Sequence, residues 1–244
     1  MSPRPVFVIA GVGTGTGTGA ATARLLAQKG WRVALVARNP DNLNNLANEI
    51  NEAGGEAAGF PVHDYSYNAT LSVFDAISAH KWSSADPSEV RGALWNAGVQ
   101  EVWKPFLEVS EKEIETTLQF NVAAAFGFAR GAILAFKENE LDERGARGTL
   151  LFTGATASIR GNVRTSGIAA VKFAVRALSQ SLAKEFGKDN IHVAHAIIDG
   201  IISTGPSDVR LDANSIAKNY VYLAEQDRSA WTWELDLRPA HEKW

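Results

Sequence analysis

Six short apolar runs recur along this chain with helical patterns between them, and no other feature restricts its fold as strongly. They read VFVIA at 6–10, WRVALVA at 31–37, EAAGFPV at 56–62, GALWNAG at 92–98, GTLLFTG at 148–154 and IHVAHAII at 191–198. Each run is nearly continuous rather than alternating, the mark of a strand covered on both faces. Helical periodicity fills residues 16–29, 41–53, 68–80, 111–138 and 168–187. Strands and helices in this alternation predict a Rossmann-type doubly wound α/β fold with a parallel sheet. No internal repeat, low-complexity tract or long linker interrupts the pattern, so one domain over residues 1–244 is expected. The polar stretch HKWSSADPSEVR, 80–91, reads as a surface loop.

Composition narrows the partners. Hydrophobic residues make up 45% of the chain against 21% charged, and the net charge is −3 with Lys and Arg scattered, which argues against nucleic acid or an anionic membrane. No cysteine is present, so thiol nucleophiles, thiolate metal ligands and disulfides are excluded. The opening MSPRPVFVIAGVG has an apolar run too short to span a bilayer and no signal-peptide pattern. A cytoplasmic protein that binds a small molecule is the expectation.

In a sheet of this kind ligands bind beyond the carboxyl ends of the strands. Directly after the first strand comes GVGTGTGTG, 11–19, with G-x-x-x-G-x-G at Gly11, Gly15 and Gly17. Glycines at a strand-to-helix turn let the backbone approach a pyrophosphate, whose charge then rests at the helix N-terminus. Thr14 and Thr16 are candidate hydroxyl donors to phosphate or ribose, or plain loop residues. The second strand ends in Ala37, Arg38 and Asn39, where an NAD site would place an acid for the ribose 2′-OH. A guanidinium there suits a 2′-phosphate, so NADP(H) is the expected cofactor. His63 and Asp64, after the third strand, are placed to meet an adenine edge.

The glycine loop, WNAG at 95–98, Asn121 in FNVAAAF and Lys172 in IAAVK follow one another in the order and spacing of a known family. Over residues 5 to about 238 the chain resembles the short-chain dehydrogenase/reductases. The resemblance implies that Asn96, Ala97 and Gly98 support the central strand beside the adenosine ribose. It implies that Asn121 holds a water leading to the active-site lysine, that Lys172 binds the nicotinamide ribose, and that Thr204 contacts the nicotinamide amide or phosphate. It also implies a dimer or tetramer formed through helices 111–138 and 168–187.

Two positions depart from the pattern. Ile168 stands where the family keeps its tyrosine acid, and Ala155 where it keeps the serine that polarises the substrate carbonyl. Isoleucine can move no proton, and general acid catalysis is typically worth about 10²–10⁴-fold. Thr156, or less directly Thr153 or Ser158, could take over the serine's role. The four tyrosines, at 65, 67, 220 and 222, all lie far from this helix in sequence. Arg164 and Ser166 border the expected nicotinamide and are candidates to orient substrate, and Asp199, standing before Gly200 where the family has Pro-Gly, is a candidate acid or base. Only GPSDVR separates Thr204 from the last helical pattern, so the substrate lid is short or missing.

An atypical NADP(H)-dependent oxidoreductase follows, suited to an imine or other activated acceptor. Its alternatives are a cofactor-binding sensor or scaffold without turnover, and a non-redox cyclase or isomerase. The chain is also similar to fungal members of the superfamily with altered sites, including cyclases of secondary metabolism; where those carry Pro-Asp-Pro-Gly-Trp, this chain has Thr165-Ser166-Gly167-Ile168.

Overall fold

The computed structural model describes residues 3–98, 102–203, 205 and 207–241. Strands β1 (Arg4–Ala10), β2 (Arg32–Ala37), β3 (Glu56–Pro61), β4 (Ser88–Trp95), β5 (Gly148–Ala155) and β6 (Ile191–Ile198) match the six apolar runs. A two-residue pair, β7 (Ile202–Ser203) with β8 (Leu211–Asp212), occupies the short connection before the last helix, and β9 (Glu234–Leu237) closes the chain. The main sheet is parallel throughout in the order β3-β2-β1-β4-β5-β6-β9. From β1 the chain winds outward to β3, then returns to lay β4 on the other side of β1. That reversal is the switch point at which such sheets hold ligands.

Helices α1 (Thr18–Gln28), α2 (Pro40–Glu52), α3 (Tyr67–Ala79), α4 (Glu111–Leu118), α5 (Ala124–Lys137), α6 (Ser166–Phe186) and α7 (Ala213–Ala224) cover both faces. The pleat sorts β1 between them: Val6, Val8 and Ala10 pack under α3, α5 and α6, while Phe7 and Ile9 pack under α1, α2 and α7. Continuous apolar strands are thus explained by two cores, one on each face. The run predicted as one helix over 111–138 is divided by a π segment, Gln119–Ala123, that joins α4 to α5. By length and mean hydropathy of 1.3 the span Glu111–Lys137 would pass for a membrane helix, yet half of its apolar window is buried inside this domain.

The stretch 80–91 departs from a plain surface loop. Its last residues, from Ser88, belong to β4, and the turn before them serves a buried charge. Arg32 is fully buried and donates to the Ser84 and Asp86 carbonyls and to Glu56, with Trp82 beneath its guanidinium at 5.6 Å. Burial pushes Glu56 up, but hydrogen bonds from Arg32, Ser84 and Ser83 outweigh it and hold the carboxyl at about 2. Removing one partner of a buried pair costs about 3–5 kcal/mol. The polar loop is therefore the acceptor shell that lets an arginine sit inside the sheet edge.

Candidate active site

The glycine turn begins where β1 ends. Gly11 has φ +94, in the left-handed region, and a Cβ there would lie 2.6 Å from the Ala97 nitrogen. Gly19, in the first turn of α1, is held as tightly: its Cβ would come within 2.4 Å of the Gly11 carbonyl oxygen. Helix and turn can approach this closely only through those two glycines. The packing contact falls on Gly19, two residues beyond the G-x-x-x-G-x-G pattern. Gly13 and Gly15, also at positive φ, and Gly17 have no atom within 4 Å of where a Cβ would stand. They leave a bare backbone cradle. Thr14 and Thr16 face each other across it, with hydroxyls 3.3 Å apart, and Asn42 steadies it by donating to the Gly13 carbonyl.

The cradle opens onto α1, whose N-cap is Gly17 and whose first turn carries neither a side-chain cap nor an acid. Asn39, Ser66, Ser110 and Asp212 cap α2, α3, α4 and α7 in turn. The free N–H groups of α1 and its dipole suit a bound anion. A cleft of about 720 Å³ continues from the cradle along Ala37, Arg38, Asn39, Tyr65, Asn96, Ala97 and Gly98. Arg38 lies over the Tyr65 ring at 5.8 Å, and Tyr65 meets Trp95 edge-on at 5.7 Å. Burial drives the Tyr65 phenol up to about 12, against the Arg38 charge, so it remains neutral.

Two cofactor candidates have a side-chain oxygen engaged at the start of a helix. Asp64 accepts the Ser66 N–H in the turn that starts α3, and the neighbouring Tyr65 forms the cleft wall instead. Asn39 lines the cleft, but its carbonyl is engaged in capping α2 through Asp41 and Asn42. Thr204 falls outside the described residues.

Asn96 fastens this half of the site to the other. Its amide donates to the Gly11 carbonyl at 2.8 Å and accepts from the Thr153 hydroxyl at 2.9 Å. With its one proton committed, Thr153 takes the Tyr220 hydroxyl as donor at 2.7 Å. Tyr220 is thus the tyrosine brought nearest to this chain of bonds, but it is fully buried on the α7 face, and burial pushes it above its ordinary value. Its enclosure rules it out as an acid at the cleft.

Toward the end of β5, Lys172 in α6 donates to the Thr153 carbonyl at 3.3 Å. Asn121 lies buried in the π segment and donates to the Thr117 carbonyl at 3.0 Å. Such π turns release backbone groups from the helical ladder and concentrate at functional sites. Ile168 is one helical turn before Lys172 and packs with Ala157 and Ala169. Of the three hydroxyls near Ala155, Thr153 serves Asn96, and Ser158 is buried and accepts the Ala155 N–H at 3.0 Å. Thr156, half-buried just after β5, donates to Asp199, which follows β6. Arg164 is exposed, with φ +69, an unusual backbone state for a residue with a side chain, and Ser166 is exposed as the first residue of α6.

Behind the site, His195 is fully buried with Nδ1 3.2 Å from Glu234, which Arg176 grips with two hydrogen bonds. Burial pushes His195 down from its ordinary 6.5 to about 4, against the attraction of Glu234. A histidine held neutral in the fold leaves the unfolded chain to bind the extra proton, so stability is full above the ordinary value and is lost as pH falls toward the folded one. Between pH 6.5 and 4 this group should cost at most about 1.4 kcal/mol per pH unit. Urea unfolding of the native chain should show that slope, and His195→Gln should flatten it. His192, also pushed down by burial, supplies the part that remains.

A left-handed glycine turn and an uncapped helix N-terminus, set at the switch point of a parallel sheet, define a Rossmann-type dinucleotide-binding domain. Comparison with known proteins makes this specific. The sequence profile described as short chain dehydrogenase matches residues 6–214, and the chain belongs to that family. It is 34% identical over 110 residues to an L-2,3-butanediol dehydrogenase of Corynebacterium glutamicum, spanning 45% of this chain and 40% of that one. It is 30% identical over 210 residues to a short-chain dehydrogenase/reductase of Hericium erinaceus, covering 84% and 77%. Among solved structures, a short-chain dehydrogenase from Rhodopseudomonas palustris superposes with a TM-score of 0.80 at 29% identity, over 97% of this chain and all of that one. A metagenomic short-chain oxidoreductase in complex with NADP (TM-score 0.78, 24% identity, 97% and 96% covered) and the NADH-dependent reductase A1-R′ complexed with NAD (0.77, 20%, 98% and 96%) share the fold.

Proposed function

We propose that this family member is an NADP(H)-dependent oxidoreductase of an atypical kind, which reduces an imine or similarly activated acceptor rather than a plain ketone. The single observation that carries the reading is Ile168, buried among alanines one helical turn before Lys172, where the family's proton donor is expected. When bound, the nicotinamide supplies or takes a hydride. The chain's own residues do the rest. The Gly11–Gly17 cradle and the α1 N-terminus receive the pyrophosphate, Arg38 faces the 2′-phosphate, Asn96 to Gly98 line the adenosine ribose, and Lys172 holds the nicotinamide ribose. Arg164 and Ser166 border the acceptor. An iminium becomes neutral on accepting hydride and asks for no proton at that step, so the absence of a phenol does not stop it.

Deuterated NADPH offered with a panel of cyclic imines and matched ketones tests the reading. Label should appear in the amine products and be nearly absent from the alcohols. No label in any product, with NADPH still bound, would identify a cofactor-binding protein without turnover. A second copy of the chain is further proposed to cover the outer face of α5 and α6, where Phe126, Leu134 and Phe173 are exposed beside a groove lined by Arg130 and Leu182.

A further inference from the structure

The pair Thr156–Asp199 has no counterpart in the family's usual relay, and its hydrogen-bond direction is fixed by the fold. Asp199 follows β6 and is 2% exposed. It is held from three sides: its backbone N–H donates to the Leu237 carbonyl at 2.9 Å, Arg238 lies 3.2 Å from Oδ2, and Arg160 lies 3.7 Å from Oδ1. Arg238 also pairs with Asp236 at 2.8 Å, so the two arginines and two aspartates sum to zero charge. The remaining contact to Oδ1 is the Thr156 hydroxyl, which donates to it.

A threonine hydroxyl owns one proton and two lone pairs. With that proton committed to a buried carboxylate, Thr156 can offer the cleft only an acceptor. This reverses the polarity of the expected serine, which donates to a developing oxyanion. Ala155 and Ile168 contribute no donor either. The loops that follow β4, β5 and β6 add a second property. Those strands are neighbours in the sheet, and their loops expose large apolar side chains: Trp103, Phe106 and Leu107 after β4, Val163 after β5 and Ile201 after β6, with Leu107 at 94% and Val163 at 90%. An apolar rim of this kind marks a ligand or partner surface.

We propose that Asp199, acting through Thr156, makes the reaction cleft select an apolar ligand that presents an N–H at this point, as a secondary amine or the corresponding N-protonated iminium. Asp199 is a positioning residue and Thr156 the group in contact. The proposal rests on the reading that the acceptor lies over the ends of β5 and β6. For the iminium, hydride adds to carbon and forms the C–H bond, while the C=N π pair becomes the nitrogen lone pair. The cofactor is oxidised, the acceptor is reduced, and the N–H proton stays on nitrogen, in contact with Thr156 Oγ1.

The test uses two probes of one shape, 2-benzylpiperidine, which is protonated at neutral pH and so presents N–H on a cation as the iminium does, and 2-benzyltetrahydropyran, which is neutral and presents none, titrated by calorimetry into protein saturated with NADP⁺. The native chain should bind the amine about tenfold or more tightly than the ether, as one hydrogen bond to a charge-linked acceptor allows. In Asp199→Asn the amide oxygen turns to Arg238 and the amide NH₂ to Thr156. This frees the threonine proton to donate, so the preference should fall to near parity or invert. Thr156→Val should lose the preference and Thr156→Ser keep it; should Asp199→Asn not fold, that pair decides alone. Equal binding of both probes by the native chain, or an unchanged ratio in Thr156→Val, would overturn the proposal. Because the readout is affinity, an amine preference without label transfer would sink only the turnover reading, and label transfer without a preference only this one.

Discussion

Ala155→Ser combined with Ile168→Tyr is expected to raise ketone reduction by roughly 10²–10⁴-fold over the native chain, the usual worth of a positioned general acid. Residue 168 lies one turn before Lys172 on the same face of α6, so a phenol there would stand near the ammonium, whose charge lowers a phenol's pKa. Serine at 155 would add the donor that Thr156, bound to Asp199, cannot be. Each single variant should fall short, because the oxyanion needs both a proton and a hydrogen bond. Ile168 packs against Ala157 and Ala169, and a larger ring needs room there, so the rate panel should be run beside NADPH titration. Intact cofactor binding with no gain in kcat/KM would show that more of the pocket than the proton donor has changed.

Arg38→Ala should weaken NADPH by about 10–100-fold and leave NADH nearly unaltered, since a charge-assisted hydrogen bond contributes about 1.5–3 kcal/mol. The guanidinium is well placed for this: it follows β2, lines the cleft and lies over the Tyr65 ring. Fluorescence titration with both dinucleotides measures the ratio directly. Equal loss for both would assign Arg38 a general role in the wall, and no loss would remove the preference for NADP(H).

The fold was legible because its signal is carried by whole segments: β2 is buried at every residue, and so it reads as one uninterrupted apolar run. The positions of Arg38 after β2, Asn96 after β4 and Lys172 in α6 were legible for a related reason, being fixed by their distance from a strand end or a helix start, while the roles given to them are proposals. Contacts that depend on the meeting of distant segments were not. The close approach at Gly19 could not be seen until α1 was laid against Gly11, nor the Tyr65 wall and the Asp64–Ser66 turn before the start of α3 was placed beside the cleft. Thr156 was a candidate by position, but the direction of its hydrogen bond depends on Asp199, 43 residues away. The stretch 80–91 looked like solvent-facing polarity because its partner, Arg32, is hidden at the sheet edge.

The π turn at Gln119–Ala123 has a consequence for how this chain can tolerate change in length. A π turn holds one residue more than an α turn. Deleting a residue there would leave an unbroken α-helix whose two halves keep their facing, because the wide turn absorbs the extra residue and does not pass on its rotation of about 100°. A residue removed from α4 or α5 outside the turn would instead rotate the small and aromatic residues of α5 against the Ser110–Glu113 cap of α4. The extra residue is a slack turn between two halves of one rod that keep a common facing, and Asn121 sits inside it.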